Sequence, residues 1–164
     1  MPTEAEFIES IALHQNIIHK VCNLYMNNEQ DKKDLFQEVV LNAWKGFQNF
    51  KGDAKFSTWL YRVALNTAIT FYRKEKNQLK TSVFNEAYTN SFIDSPAAED
   101  EQINAMYRSI SELSDVDKAL VMLYLEDYPY HDIGEIMGIS ANNVAVKMSR
   151  IKTRLKENSK KYYR

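Results

Sequence analysis

Phe50, Lys51, Lys55 and Phe56 interleave aromatic rings with ammonium groups over a short stretch of the chain. That pattern suits a single-stranded nucleic acid, because unpaired bases stack on rings while phosphates pair with cations. A second polar set stands near the C-terminus: Asn142, Asn143, Lys147, Arg150 and Arg154. Asn can hydrogen-bond adenine, and Arg or Lys can reach guanine or a phosphate. Covalent chemistry has no comparable set. His14, His19 and His131 are scattered, with no HExxH arrangement, no cysteine partner and no nucleophile signature. There is no Gly-rich phosphate loop, and the one cysteine, Cys22, can build neither an internal disulfide nor a Cys-based zinc site. These residues argue against an enzyme and imply no metal and no cofactor.

The elements that must position the C-terminal set are legible around it. Gly134 is small enough to let a second helix approach, and Gly138 suits the left-handed residue that ends a helix. Ile139 is expected to plug the core and Ser140 to cap the next helix. Val144, Met148, Ile151 and Leu155 then recur at helical spacing, which leaves Asn142, Asn143, Lys147 and Arg150 facing outward. The spacing predicts helices over about 130–137 and 141–157. Their second member has a polar first half and a basic second half, as major-groove docking requires. An ordinary helical hairpin is the plainer alternative, and it does not call for Gly, Ile and Ser at the turn.

Earlier in the chain, Phe7, Ile11, His14, Ile18, Val21 and Tyr25 recur in steps of three and four and predict a first helix over about 5–26. Asp31 reads as the cap of a second helix carrying Phe36, Val40, Ala43 or Trp44, and Phe47. A loop with Gly52 follows, then a third helix from Ser57 or Thr58 through Trp59, Leu60, Val63, Thr67 and Phe71 to about Lys76. Trp44, Trp59 and Phe71 sit on these stripes, so core packing is their default role. Residues 77–100 break the period with polar residues, Ser95-Pro96 and four acidic side chains, and read as a linker. Periodicity resumes at Ile103, Met106, Ile110 and Leu113, and Ser114 caps a helix with Val116, Ala119, Leu120, Leu123 and Tyr124. No strand alternation occurs. The expected fold is all-α: two small helical domains, 1–76 and 101–164, joined by a flexible linker at 77–100.

Charge follows the same division. The 164 residues carry a formal net charge of −1, yet Lys45, Lys51, Lys55, Arg62, Arg73 and Lys74 face only Asp53 in their stretch. Lys147, Arg150, Lys152, Arg154, Lys156, Lys160, Lys161 and Arg164 face only Glu157. Two basic surfaces flanking an acidic segment fit two polyanion contacts, with two solvated helix faces as the alternative. The N-terminus has no basic region followed by an apolar run, and no stretch approaches ~20 apolar residues, so a cytoplasmic location is expected.

DLFQE at 34–38, followed by FKGDAKFSTWLYRVALN at 50–66 and a C-terminal helix-turn-helix, strongly resembles the sigma-70 family of RNA polymerase sigma factors. The compact length is similar to the extracytoplasmic-function (ECF) group, which keeps only regions 2 and 4. The resemblance runs from about residue 7 to 157. It implies that Asp34, Leu35, Gln37 and Glu38 dock on the clamp helices of core RNA polymerase, where acidic and amide groups suit a basic surface. It implies that the loop from Phe50 to Phe56, with Asn66, captures an extruded base of the −10 element. A pocket of that kind must offset a few kcal/mol of lost stacking. Arg62, Arg73 and Lys74 match backbone contacts, and the C-terminal set matches readers of the duplex −35 element. Promoter DNA, core polymerase and an anti-sigma factor are thus the implied partners. Two positions depart from common family residues: Thr70, where relatives often carry Asp, and Ala145, where many carry Lys.

A tether of ~24 residues reaches at most ~80 Å, and ~17 base pairs between the two elements span ~58 Å at ~3.4 Å each. One chain can therefore hold both elements. A stand-alone helix-turn-helix regulator remains the rival reading. Such a protein binds duplex DNA by itself, usually as a dimer.

Overall fold

The computed structural model describes residues 3–79 and 101–162. The chain divides into two compact units, Met1–Gln78 and Leu79–Arg164. Among the described residues every regular element is an α-helix.

In the N-terminal unit, α1 (Glu4–Tyr25) opens with a capping box. The Glu6 amide donates to Thr3 Oγ1, and the Thr3 amide donates to Glu6 Oε2, each at 3.2 Å. Two of the otherwise unpaired N–H groups of the helix end are thereby satisfied. His14 breaks the helical dihedrals (φ −119°, ψ 15°) and kinks α1. Its Nδ1 lies 2.9 Å from the Ser10 carbonyl oxygen. Helix α2 (Glu29–Phe47) is capped by Asn28, whose Oδ1 accepts from the Asp31 amide at 2.8 Å. This corrects the expected cap at Asp31. Asp31 is the third helical residue, and its carboxylate instead accepts from Asn28 Nδ2 at 2.8 Å.

The buried stripe of α2 is Leu35, Val39, Ala43 and Phe47, one residue out of step with the expected Phe36 and Val40. Both rows are apolar, so periodicity alone leaves the inward row open. Packing chooses the strict four-residue row and leaves Phe36 half-buried against His19, ring centroids 4.8 Å apart. Helix α3 (Phe56–Leu79) starts just before the expected Ser57 and runs three residues past Lys76. It buries Leu60, Tyr61, Ala64, Leu65 and Ala68. Trp59, Val63 and Phe71 are only half-buried. The first residues of the expected linker belong to α3, and the rest of it, 80–100, lies outside the described residues.

The C-terminal unit contains α4 (Glu101–Ser111), α5 (Asp115–Leu125), α6 (Tyr130–Met137) and α7 (Ala141–Tyr162). Ser114 caps α5 as expected, its Oγ accepting from the Asp117 amide at 3.2 Å. Ala119, Leu120, Leu123, Ile133, Ile136, Val144, Met148 and Ile151 form the core. Met106 and Tyr124, expected inside, are 48% and 38% exposed, while Ala105, Ser109 and Ile110 point inward. The Ser109 hydroxyl is satisfied by donating to the Ala105 carbonyl at 2.8 Å.

Cys22 is buried in α1, and desolvation of the thiolate raises its pKa from 9.0 to about 11. The folded protein is therefore expected to resist a disulfide-exchange reagent at pH 8 and to react at once in denaturant. Equal rates in both conditions would refute the burial. Between about pH 9 and pH 11 the unfolded thiol ionises while the folded one keeps its proton, so this group's contribution to stability is lost across that window.

Candidate nucleic-acid interface

Two hydrogen bonds close the end of α2, from the Asn49 amide to the Gly46 carbonyl at 3.1 Å and from the Phe50 amide to the Phe47 carbonyl at 3.0 Å. Gly52 then turns the loop with φ +78°, a left-handed value that side chains rarely adopt. The loop folds Phe50 back onto α3. Its ring lies 5.2 Å from Trp59 and 5.9 Å from Phe56, and it stacks on buried Phe47 at 6.1 Å with an interplanar angle of 12°. Phe56 and Trp59 are themselves 5.4 Å apart. The result is an aromatic corner, rooted in the core through Phe47 and half-open to solvent at Phe50, Phe56 and Trp59. Lys51 and Lys55 stand exposed beside it. Trp59 thus joins the corner's open edge, although its stripe suggested the core.

Further along α3, Arg62, Asn66, Thr70 and Lys74 are exposed at steps of four and so lie on one face, with Arg73 exposed next to them. Asn66, Thr70 and Lys74 form one wall of a groove of about 530 Å³, and Glu38 and Asn42 of α2 form the other. That volume is within the usual range of ligand clefts, ~300–1,000 Å³. None of the loop side chains lines it. Asn66 follows Phe56 by ten residues, or about 15 Å along the helix at ~1.5 Å each. Phe50, in the loop, does not line this groove with Asn66; the aromatic corner and the groove lie at successive positions along α3, with Arg62 between them.

The outer face of α2 presents Asp34 and Gln37, both exposed, with Gln30 Nε2 donating to Asp34 Oδ1 at 3.0 Å. Leu35 is a correction: it is fully buried (0% exposed) and offers no surface to a partner. Its place on that face is taken by Leu41, 46% exposed one turn beyond Gln37, which sequence reasoning missed. Leu41 continues the apolar run Val39-Val40, so periodicity carries no signal that it faces outward. Glu38 is exposed and borders the groove beside Asn66.

In the C-terminal unit the turn between α6 and α7 is built as its residues require. Gly138 has φ +75°, and its amide and that of Ile139 both donate to the Gly134 carbonyl, at 2.8 and 2.9 Å. Ser140 Oγ accepts from the Asn143 amide at 3.1 Å, capping α7. Ile139 is half-buried. Asn143, Lys147, Arg150 and Arg154 follow at steps of four, three and four and form one stripe, with Asn142 exposed at its head. Lys147, half-buried, and exposed Arg150 and Arg154 line a groove of about 540 Å³ shared with Asp117 and Glu157. Lys152 leaves this stripe, and its Nζ lies 4.5 Å from the centre of the Tyr124 ring. Ala145 is half-buried, off the exposed stripe. Among the described residues, His131, Asp132 and Glu135 place ligand atoms within 4.8 Å of one another. They lie on one exposed turn of α6, where the imidazole pairs with the carboxylates at 3.6 and 3.8 Å.

No helix among the described residues is long and apolar enough to cross a membrane. Residues 11–78 match the family model described as sigma-70 region 2, and residues 103–155 match sigma-70 region 4. The ECF RNA polymerase sigma factor SigW of Bacillus subtilis is 28% identical over 156 residues, covering 88% of this chain and 83% of its own. The RNA polymerase sigma-H factor of Pseudomonas aeruginosa is 29% identical, covering 80% of this chain and 76% of its own. Among solved structures, the sigma factor RpoE of Bartonella quintana, crystallised with the anti-sigma factor NepR, superposes with a TM-score of 0.73 at 21% identity. That match covers 94% of this chain and 97% of the other. The CnrH structure, solved with the cytosolic domain of CnrY, superposes with a TM-score of 0.64 at 18% identity. With both regions matched in order and the relatives covered over most of their length, this chain belongs to the ECF group of the sigma-70 family of RNA polymerase sigma factors.

Proposed function

We propose that this chain binds core RNA polymerase in the cytoplasm, reads a duplex −35 element with α7, and holds the melted −10 strand along α3. The observation that carries this is one chain with two unlike nucleic-acid surfaces. A capped helix with an exposed Asn–Lys–Arg stripe suits an intact major groove. An aromatic corner leading into a row of Arg62, Asn66, Thr70 and Lys74 suits unstacked bases and their phosphates. The protein does no covalent chemistry; it contributes recruitment and stabilises the open strand. Asp34, Gln37 and Glu38 form the polar part of the polymerase contact. An anti-sigma factor is the third partner, as for RpoE, which was crystallised with the anti-sigma factor NepR.

Run-off transcription with purified bacterial core polymerase and a promoter library tests the reading. Transcripts that require this protein and share −35 and −10 motifs are expected. If core gains no promoter-specific initiation while the protein alone shifts duplex DNA, the stand-alone regulator is the better account. Within the same assay Asn66→Ala should weaken initiation mainly on promoters with the preferred −10 base, and an equal loss on every −10 variant would count against its role. Arg150→Ala should lower −35-dependent initiation by about 5- to 150-fold, the effect of losing one good base contact of ~1–3 kcal/mol. An unchanged −35 footprint would remove Arg150 from the interface.

A further inference from the structure

We propose that Asn42, on α2, is a second base-reading residue of the −10 strand, and that the groove it shares with Asn66 selects a base bearing an exocyclic amino group (adenine, cytosine or guanine) over thymine. The inference rests on the −10 reading of α3 given above.

The argument starts from one hydroxyl proton. Thr67 is buried in the seam between α2 and α3, and its hydroxyl lies 2.7 Å from the Val63 carbonyl oxygen. A carbonyl only accepts, so the hydroxyl's single proton is committed to it. Thr67 Oγ1 can then meet a second partner only with a lone pair. That partner is Asn42, whose side-chain nitrogen lies 3.0 Å away. The amide cannot be reversed, because Oδ1 facing Oγ1 would set two acceptors against each other. The Val63–Thr67–Asn42 relay therefore fixes which end of the Asn42 amide is tied down and leaves its oxygen as the end available to a ligand in the groove.

The α2 wall therefore presents an acceptor at Asn42. Glu38, one turn before it, borders the same groove, but its carboxylate is given to the polymerase contact. Adenine, cytosine and guanine each carry an exocyclic amine that can donate to the Asn42 oxygen. Thymine carries none, and either of its carbonyl oxygens set against that oxygen would be left unpaired and desolvated. The opposite wall supplies what the rest of the nucleotide needs: the Asn66 amide, the Thr70 hydroxyl and the Lys74 ammonium for a phosphate. Thr70, one of the two departures from common family residues, is thus a neutral member of the α3 wall. An acidic residue there would place another carboxylate in the strand's path.

The test uses holoenzyme, reconstituted from core polymerase and the full chain, on promoters with each base in turn at every −10 position. Wild type is expected to favour adenine, cytosine or guanine over thymine at one position. Asn42→Ala should reduce that ratio about tenfold, the scale of one base contact. Thr67→Val, which removes the acceptor and frees the amide to rotate, should reduce the ratio at the same position, and Thr67→Ser should restore it. A preference unchanged in Asn42→Ala overturns the assignment while leaving the −10 reading intact. Loss of total output in both Thr67 variants without a change in base ratio assigns Thr67 to packing alone and overturns the relay. If wild type shows no base preference anywhere in the −10 element, the reading on which the proposal rests fails, and the proposal with it.

Discussion

Gly134→Ala is expected to destabilise the C-terminal unit by about 1–3 kcal/mol, the range for a methyl forced into a filled space. Helix propensity argues the other way, because Ala is favoured over Gly within a helix by about 1 kcal/mol. The local geometry decides between them. A Cβ at position 134 would lie 2.5 Å from the Ile139 carbonyl oxygen and 3.4 Å from the Ala141 amide nitrogen. All of these are backbone atoms of the turn, so no side-chain rotation can relieve the clash. The turn must open, and α7 must shift with it. Initiation that depends on the −35 element should then fall beyond what the stability loss alone explains.

The two tryptophans, Trp44 and Trp59, both lie in the N-terminal unit. Urea titration followed by tryptophan fluorescence should therefore stay at the wild-type midpoint, while far-ultraviolet circular dichroism shows an early second transition. Gly138→Ala is the companion variant: nothing lies within 4 Å of its added Cβ, and its cost comes only from the φ of +75°, about 1–2 kcal/mol. A Gly134→Ala protein as stable as wild type would mean that propensity outweighs the contact and that the helix-turn-helix is looser than the structure shows.

Leu35→Ala carries the second large effect. A fully buried leucine truncated to alanine typically costs about 2–5 kcal/mol, from lost transfer energy and the cavity left behind. Here the loss should appear in the tryptophan transition, because Leu35 packs in the N-terminal core with Val39, Ala43 and Leu60. Asp34→Ala, one residue away but exposed, should move that transition by no more than about 0.5 kcal/mol. It should instead weaken binding to core polymerase in a competition assay. The pair separates the two roles that the DLFQE segment combines. If Leu35→Ala shifts the fluorescence midpoint no further than Asp34→Ala, its burial is not what holds α2 in place.

The caps and the turn of the C-terminal unit were legible in detail, although Met106 and Tyr124 were expected inside and are exposed. Ser114, Gly138 and Ser140 each act through their own backbone geometry or a bond three residues away, so local sequence suffices to place them. The stripe Val144, Met148 and Ile151 has one apolar row and could face only one way. The N-terminal unit was less legible for the opposite reason. Helix α2 has two adjacent apolar rows, and only contact with its neighbours selects Leu35 and Val39 over Phe36 and Val40. Asp31 and Asn28 are both good caps, and the choice turns on where the chain leaves the previous helix.

The candidate site divides along the same line. Charge, aromatic spacing and the turn residues are properties of the chain, and by themselves they pointed to an all-α protein with a helix-turn-helix and two basic surfaces. Tertiary structure alone decided which residues share a wall. It buried Leu35 and left Leu41 exposed on the outer face of α2, brought Glu38 and Asn42 of α2 opposite Asn66 of α3, and kept Phe50 out of that groove. The physical reason is range. Caps and stripes are set by neighbours three or four residues away, whereas the Asn42–Thr67 bond joins residues 25 apart in sequence, and only packing of α2 on α3 can bring them within 3.0 Å.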